Sequence, residues 1–188
     1  NSDNLASEGK TGQIEMFPGY GEFHGPGPFI NQFESLNDVL VYTIDEIKRL
    51  VYSEAIPLNQ ISIIYSSGYF SNPNNKDLVD GVIMTLNTNG LFYHWVSEDS
   101  RAKMAYDVTA ETITLTSIHS IKGFDHSCVF LLGLDMLKDE KWTKSQIEMM
   151  AYVAITRARD RLYIPYLEET ELIDRLIKCQ SSCSEVLQ

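Results

Sequence analysis

Cys128-Val-Phe-Leu-Leu-Gly-Leu134 is apolar at every position. It shows neither the alternation of a half-exposed strand nor the spacing of an amphipathic helix, so it is a buried strand or a short core helix. Either choice demands covering layers above and below. Upstream, Ile61-Ser-Ile-Ile-Tyr65 is dominated by β-branched residues and bounded by turn residues, which makes it a strand. Helix-length segments lie between such runs. Residues 36–52 carry Val39, Leu40, Ile44, Ile47 and Val51 at helical spacing, with Ser35 or Asn37 as cap. A second helix starts at residues 71–75, turns Leu78, Val79, Val82, Ile83 and Leu86 inward, and stops at Asn89-Gly90. Further strands are expected at 28–33, 91–96, 112–117, 127–133 and 162–166, and helices at 145–157 and 168–179, while 97–110 reads as a polar connection. Strands that alternate with helices imply an α/β fold, a mostly parallel sheet with helices on both faces. Ligands of such sheets bind outside the C-terminal strand ends, and residues 117–125 begin at one.

The 188 residues fit one domain, read as 28–188 behind a Gly-, Pro-, Asn- and Ser-rich lead-in over 1–27. No apolar run approaches the ~20 residues of a membrane span, and no secretory signal is visible. Three cysteines, Cys128, Cys179 and Cys183, make neither a disulfide framework nor a zinc site, so a reduced, cytoplasmic protein is expected. Gly9-Lys10-Thr11 looks like the end of a phosphate-binding P-loop, but Asn4 stands where its first glycine belongs. The net charge of −11 argues against a strong nonspecific grip on nucleic acid. Its distribution is uneven: residues 113–161 hold 7 Lys/Arg against 6 Asp/Glu, while residues 1–112 hold 6 against 15. The central stretch is the place for a local positive groove.

Two segments of that stretch carry candidate chemistry. In residues 117–125, Ser117 and His119 alternate at a strand end, so both are expected on one side. Lys122 offers a cation, Gly123 lets backbone approach a phosphate, and Asp125 accepts hydrogen bonds from a ribose hydroxyl or a basic partner. The alternative is a capped loop with a solvated lysine. Over residues 146–161, Ile147, Ala151, Ala154 and Ala158 form a narrow helical face that lets the helix press on the sheet. Arg157 lies off that stripe at the helix end, where a guanidinium suits bidentate phosphate recognition. Arg159 and Arg161 read as surface ion pairs, with Glu148 or Asp160 within reach. His94, Trp95 and Tyr93 read as strand packing, and His126 with Ser127 lacks the turn of a hydrolase. No metal-ligand spacing occurs.

Ser117-Ile-His119-Ser-Ile-Lys122-Gly123-Phe-Asp125 resembles motif V of UvrD/Rep-like superfamily 1 DNA helicases, and Ala151-Tyr-Val-Ala-Ile-Thr156-Arg157-Ala158-Arg159 resembles their motif VI. The order and the intervening strand fit the family's second RecA-like motor domain. The resemblance implies a three-layer RecA-like fold of the P-loop NTPase type. It implies that Ser117, His119 and Lys122 contact single-stranded DNA and that Gly123 and Asp125 approach the nucleotide. Arg157 would be the arginine finger on the γ-phosphate of ATP, whose Mg²⁺ belongs to a preceding N-terminal RecA-like domain. Translocation would be 3′→5′.

The matched segments depart from the family in places. Ser117 replaces a Thr and Asp125 a Glu, while the Tyr-Arg of motif IV, the P-loop and the Mg²⁺-binding Asp-Glu are not found. About 50 residues separate Tyr65 from Ser117, too few for a large accessory insertion, which points to a helicase IV-like branch. The isolated piece is expected to bind no cofactor and hydrolyse no ATP. The alternative is a helicase-derived, non-catalytic module that binds DNA or protein.

Overall fold

The structure, a computed structural model, describes residues 26–66, 76–121, 123, 125–137 and 142–186, with side chains described for all of these except 76–77 and 182–186. Lys122, most of the lead-in and Gly9-Lys10-Thr11 lie outside the described residues. In chain order the elements are β1 (Phe29–Gln32), α1 (Leu36–Lys48), β2 (Ile61–Tyr65), α2 (Lys76–Thr88), β3 (Tyr93–Trp95), the short α3 (Ser100–Met104), β4 (Ile113–Ser117), β5 (His126–Leu132), α4 (Lys144–Ile155), β6 (Ala158–Tyr166) and α5 (Glu171–Val186). The strands form one sheet, ordered β1-β6-β5-β2-β4-β3, and every pairing is parallel.

The unbroken apolar runs serve two cores at once. On β2 and β5, Ile61, Ile63, Tyr65, Cys128, Phe130 and Leu132 join Val39, Ile44 and Ile47 of α1 and Leu78, Val82 and Leu86 of α2. The intervening Ile64, Val129 and Leu131 join Ile147, Ala151 and Ala154 of α4 and Ile173 of α5. Side chains alternate along a strand, so a run without polar breaks is what a strand covered on both faces requires. Phe29, Tyr163 and Phe130 sit level on β1, β6 and β5 and stack with centroid separations of 4.8 and 4.4 Å.

The caps behave as their residue types dictate. Ser35 Oγ accepts from the Asp38 amide at 3.2 Å to start α1, which runs on into a π-helical turn over Arg49–Ser53. Thr143 and Gln146 form a reciprocal capping box at the start of α4.

At its far end α4 differs from the sequence reading. It ends at Ile155 with Thr156 as cap, Arg157 occupies the following turn, and Ala158 opens β6 rather than extending the helical stripe. Alanine and arginine favour helix, but pairing of Ala158 with His126 and of Arg161 with Cys128 overrides that preference. The polar connection 97–110 likewise contains α3, capped by Asp99, whose carboxylate accepts from the Arg101 and Ala102 amides.

Candidate functional site

The candidate residues divide between the two edges of the sheet. Arg157, Asp125 and Gly123 lie where β5 and β6 begin, whereas Ser117 and His119 lie where β4 ends. Ile63 pairs with both Leu115 and Phe130, and Phe130 pairs with Tyr163. Arg157 precedes Tyr163 by six residues and Ser117 follows Leu115 by two, so the two edges are separated by about 25 Å along the strands. The segment from Ser117 to Asp125 crosses the sheet from one edge to the other. It begins at a C-terminal strand end, as the sequence reading has it, and its last residue, Asp125, stands at the opposite edge.

At the N-terminal edge, Arg157 Nη1 donates to Asp125 Oδ1 at 2.7 Å and Nε donates to the Val153 carbonyl at 3.1 Å. That carbonyl belongs to the last turn of α4, the negative end of its dipole, where a cation is favoured. The Arg157 side chain is 23% exposed, so its guanidinium reaches the surface and is not buried against its own core. The backbone fastens the pair as well, because the His126 amide donates to the Arg157 carbonyl at 3.0 Å. Gly123 has φ +90° with open space around it, a conformation that disfavours any side chain and leaves the backbone approachable.

Arg159 and Arg161 part company. Arg161 forms an ion pair with Glu54 at 2.5 Å; its Nη1 finds no acceptor in hydrogen-bond geometry, so the contact is a charge pair rather than a directed bond. Its partner is Glu54, not Glu148 or Asp160. Arg159 is exposed, and among the described residues its Nη2 donates to Gln60 Oε1 at 3.3 Å and to the Asp125 carbonyl at 3.2 Å. Beside it His126 is buried; Nε2 meets Thr114 Oγ1 at 3.0 Å and Nδ1 has no partner among the described residues. Burial, and then the Arg159 charge, push this imidazole down to about 4, so it is neutral at physiological pH.

At the C-terminal edge the expected alternation stops at the strand's last residue. Ser117 turns inward, its amide donating to Ser97 Oγ at 3.0 Å and its hydroxyl to Ser120 Oγ at 3.1 Å, while His119 is exposed in the turn that follows. The His119 ring lies against Trp142, with centroids 5.1 Å apart and 37° between planes. Trp142 and Ser97 were not singled out from the sequence. For Trp142 the signal was present, an aromatic residue flanked by Lys141 and Lys144. For Ser97, 20 positions from Ser117, there was none. His94 packs as expected, its Nε2 2.8 Å from the Ala102 carbonyl. A cleft between α4 and α5 holds Lys144 and Arg175, but both cations are paired, with Glu171 and Glu148. Among the described residues no group of three His, Cys, Asp or Glu side chains could hold a metal, and no helix is long and apolar enough to cross a membrane.

Residues 94–169 match the family model described as the UvrD-like helicase C-terminal domain. The chain is 35% identical over 78 residues to the RecBCD enzyme subunit RecB of Chlamydia pneumoniae, a match spanning 42% of this chain and 7% of that protein. The fold is shared, at 14% identity and a TM-score of 0.59, with the crystal structure of the C-terminal domain of a possible DNA helicase from Lactobacillus plantarum, covering 84% of each chain. The three-layer, all-parallel architecture is accordingly RecA-like. Over residues 94–169 the chain is thus similar to the UvrD-like helicase C-terminal domain, and its fold is that of the helicase domain it matches.

Proposed function

We propose that this chain is the C-terminal half of an ATP-dependent DNA helicase motor and that its two sheet edges divide the work. Arg157 is the arginine finger, delivered to the γ-phosphate of an ATP held by an N-terminal RecA-like domain of the same polypeptide. Asp125 sets the guanidinium in place, and Gly123 gives the phosphates room. Ser117, His119 and Lys122 belong to the single-stranded DNA side. When bound, ATP with its Mg²⁺ supplies the phosphoryl group and the neutralising cation. The metal's ligands belong to the N-terminal domain, and this chain supplies donors and shape.

One observation carries the reading: the Asp125–Arg157 contact, which joins two segments 32 residues apart at one exposed edge. A guanidinium on a backbone-fastened turn loses little freedom when a phosphate replaces part of its partner, which is what transition-state stabilisation needs. The experiment is ATP turnover by the full-length polypeptide and by this chain alone, each with and without single-stranded DNA. Turnover by the full-length protein that collapses on Arg157→Ala, with none from the chain alone, supports the motor. DNA binding without turnover by the full-length protein would favour the non-catalytic module. ATP turnover by the chain alone that disappears on Arg157→Ala would overturn the division of labour.

A further inference from the structure

Arg159 stands apart among the arginines gathered at the N-terminal edge. Arg157 is paired with Asp125, Arg161 with Glu54, and Arg49 with Glu46 and Glu54. Arg159 has no carboxylate partner among the described residues; its two acceptors are an amide oxygen and a backbone carbonyl, both reached by Nη2. A guanidinium has five N–H donors, so most of those on Arg159 remain available while Gln60 and Asp125 fix its direction. Leaving a cation without a counter-charge in an otherwise paired cluster leaves a place for an anion. The field is felt nearby: Arg159 is the largest electrostatic influence on buried His126.

Geometry ties Arg159 to the finger. Both guanidinium groups touch Asp125, Arg157 through the carboxylate at 2.7 Å and Arg159 through the backbone carbonyl at 3.2 Å. Two contacts across one aspartate keep them within about 10 Å. That is the scale of a triphosphate chain. Asp125 neutralises one of the two cations, so the trio keeps a net positive charge, and Gly123 adjoins it with open space.

We propose that Arg159 is a second phosphate-binding guanidinium of this edge, taking non-bridging oxygens of a nucleoside triphosphate alongside Arg157. This rests on the reading of the edge as the nucleotide side. The probe is inorganic tripolyphosphate titrated into the chain, followed through the ¹⁵N-edited arginine Nε–Hε signals. Saturable shifts at Arg157 and Arg159 are expected, with affinity weakened about tenfold in Arg159→Gln and less in Arg159→Lys. Asp125→Asn should tighten binding by removing the competing charge. Lys178→Gln removes a remote charge and should bind as the unmodified chain does. An Arg159→Gln variant with unchanged affinity, or a Lys178→Gln variant weakened as much, overturns the proposal. If Arg157→Gln weakens binding while Arg159→Gln does not, Arg159 is excluded and the edge assignment stands. If neither does, or no saturable shift occurs, this edge holds no phosphate by itself and the proposal is overturned.

Discussion

The two ends of this sheet are built on different principles. The N-terminal edge is ionic: Asp125, Arg157, Arg159, Arg161, Glu54 and Arg49 meet there, and its contacts are mostly charge-assisted. Around the end of β4 the C-terminal edge is neutral: Ser97, Ser117 and Ser120 exchange hydroxyl bonds, Tyr65 and Trp95 extend that network, and His119 lies on Trp142. Ions recognise phosphate charge, whereas hydroxyls and rings suit sugars and base faces. On the proposed function, this difference would let a single polypeptide segment, residues 117–125, serve two ligands without mixing them. It touches one edge with its first residues and the other with its last.

The sharpest way to break the comparison is to remove one edge's chemistry alone. Arg157→Ala in the full-length motor should lower ATP turnover by ~10³–10⁵, or roughly 4–7 kcal/mol of transition-state stabilisation, and leave single-stranded DNA affinity near that of the parent. His119→Ala should do the converse, weakening DNA stimulation while basal turnover persists. Steady-state kinetics over a DNA titration distinguishes them. Equal losses of both functions in both variants would mean that the edges are not separate.

Next in size is a change that touches both edges equally. Phe130 is fully buried at mid-strand and stacks on Tyr163 at 4.4 Å. Phe130→Ala should cost about 3–5 kcal/mol in urea unfolding. Because the ring lies between the two ends, amide exchange should quicken at both. Quickening confined to one edge would show that the ends are supported by different parts of the core.

Acid separates the edges more finely. His126 titrates near 4 in the folded chain and near the ordinary ~6.5 when unfolded. Between those values the unfolded chain binds more protons, so stability should fall as pH drops from about 6.5 to about 4, by about 3 kcal/mol at most. Glu54, held low by the Arg161 guanidinium paired with it, and Glu171, held low by its bond from Lys144, add losses of the same sign at lower pH. His126→Gln should flatten the upper part of this profile in chemical denaturation across pH. An unchanged slope would mean that another group is responsible.

How much of this was legible in the sequence follows from the range of the forces involved. Strand β2 could be bounded to the residue because Ile61-Ser-Ile-Ile-Tyr65 is defined by its own composition and its flanking turns. The start of β6 could not. Ala158, Arg159, Asp160 and Arg161 have no strand pattern, and only the ladder with β5 makes them extended. Arg157 could be picked out by motif, and its partner Asp125 by motif too, but not their bond. The inward turn of Ser117 depends on Ser97 across the strand end, which no local spacing encodes. Arg159 looked like a surface ion pair because carboxylates are near in sequence. In space Glu148 pairs with Arg175, and only coordinates reveal that Arg159 has no carboxylate partner among the described residues.

The smallest expected effect tests whether the neutral edge can be loosened without disturbing the ionic one. Thr143 and Gln146 cap α4 immediately after Trp142, with the Thr143 amide donating to Gln146 Oε1 at 2.8 Å. Thr143→Ala should cost about 1 kcal/mol, and the loss should concentrate where α4 begins, since end effects fade within a turn. Hydrogen exchange should therefore rise at residues 144–147 and stay unchanged for the His126 amide, whose acceptor is the Arg157 carbonyl at the other end of the helix. If that amide also loosens, α4 moves as a rigid lever between the edges. DNA engagement around Trp142 would then have a mechanical route to Arg157, and the separation drawn from the static geometry would become a coupling.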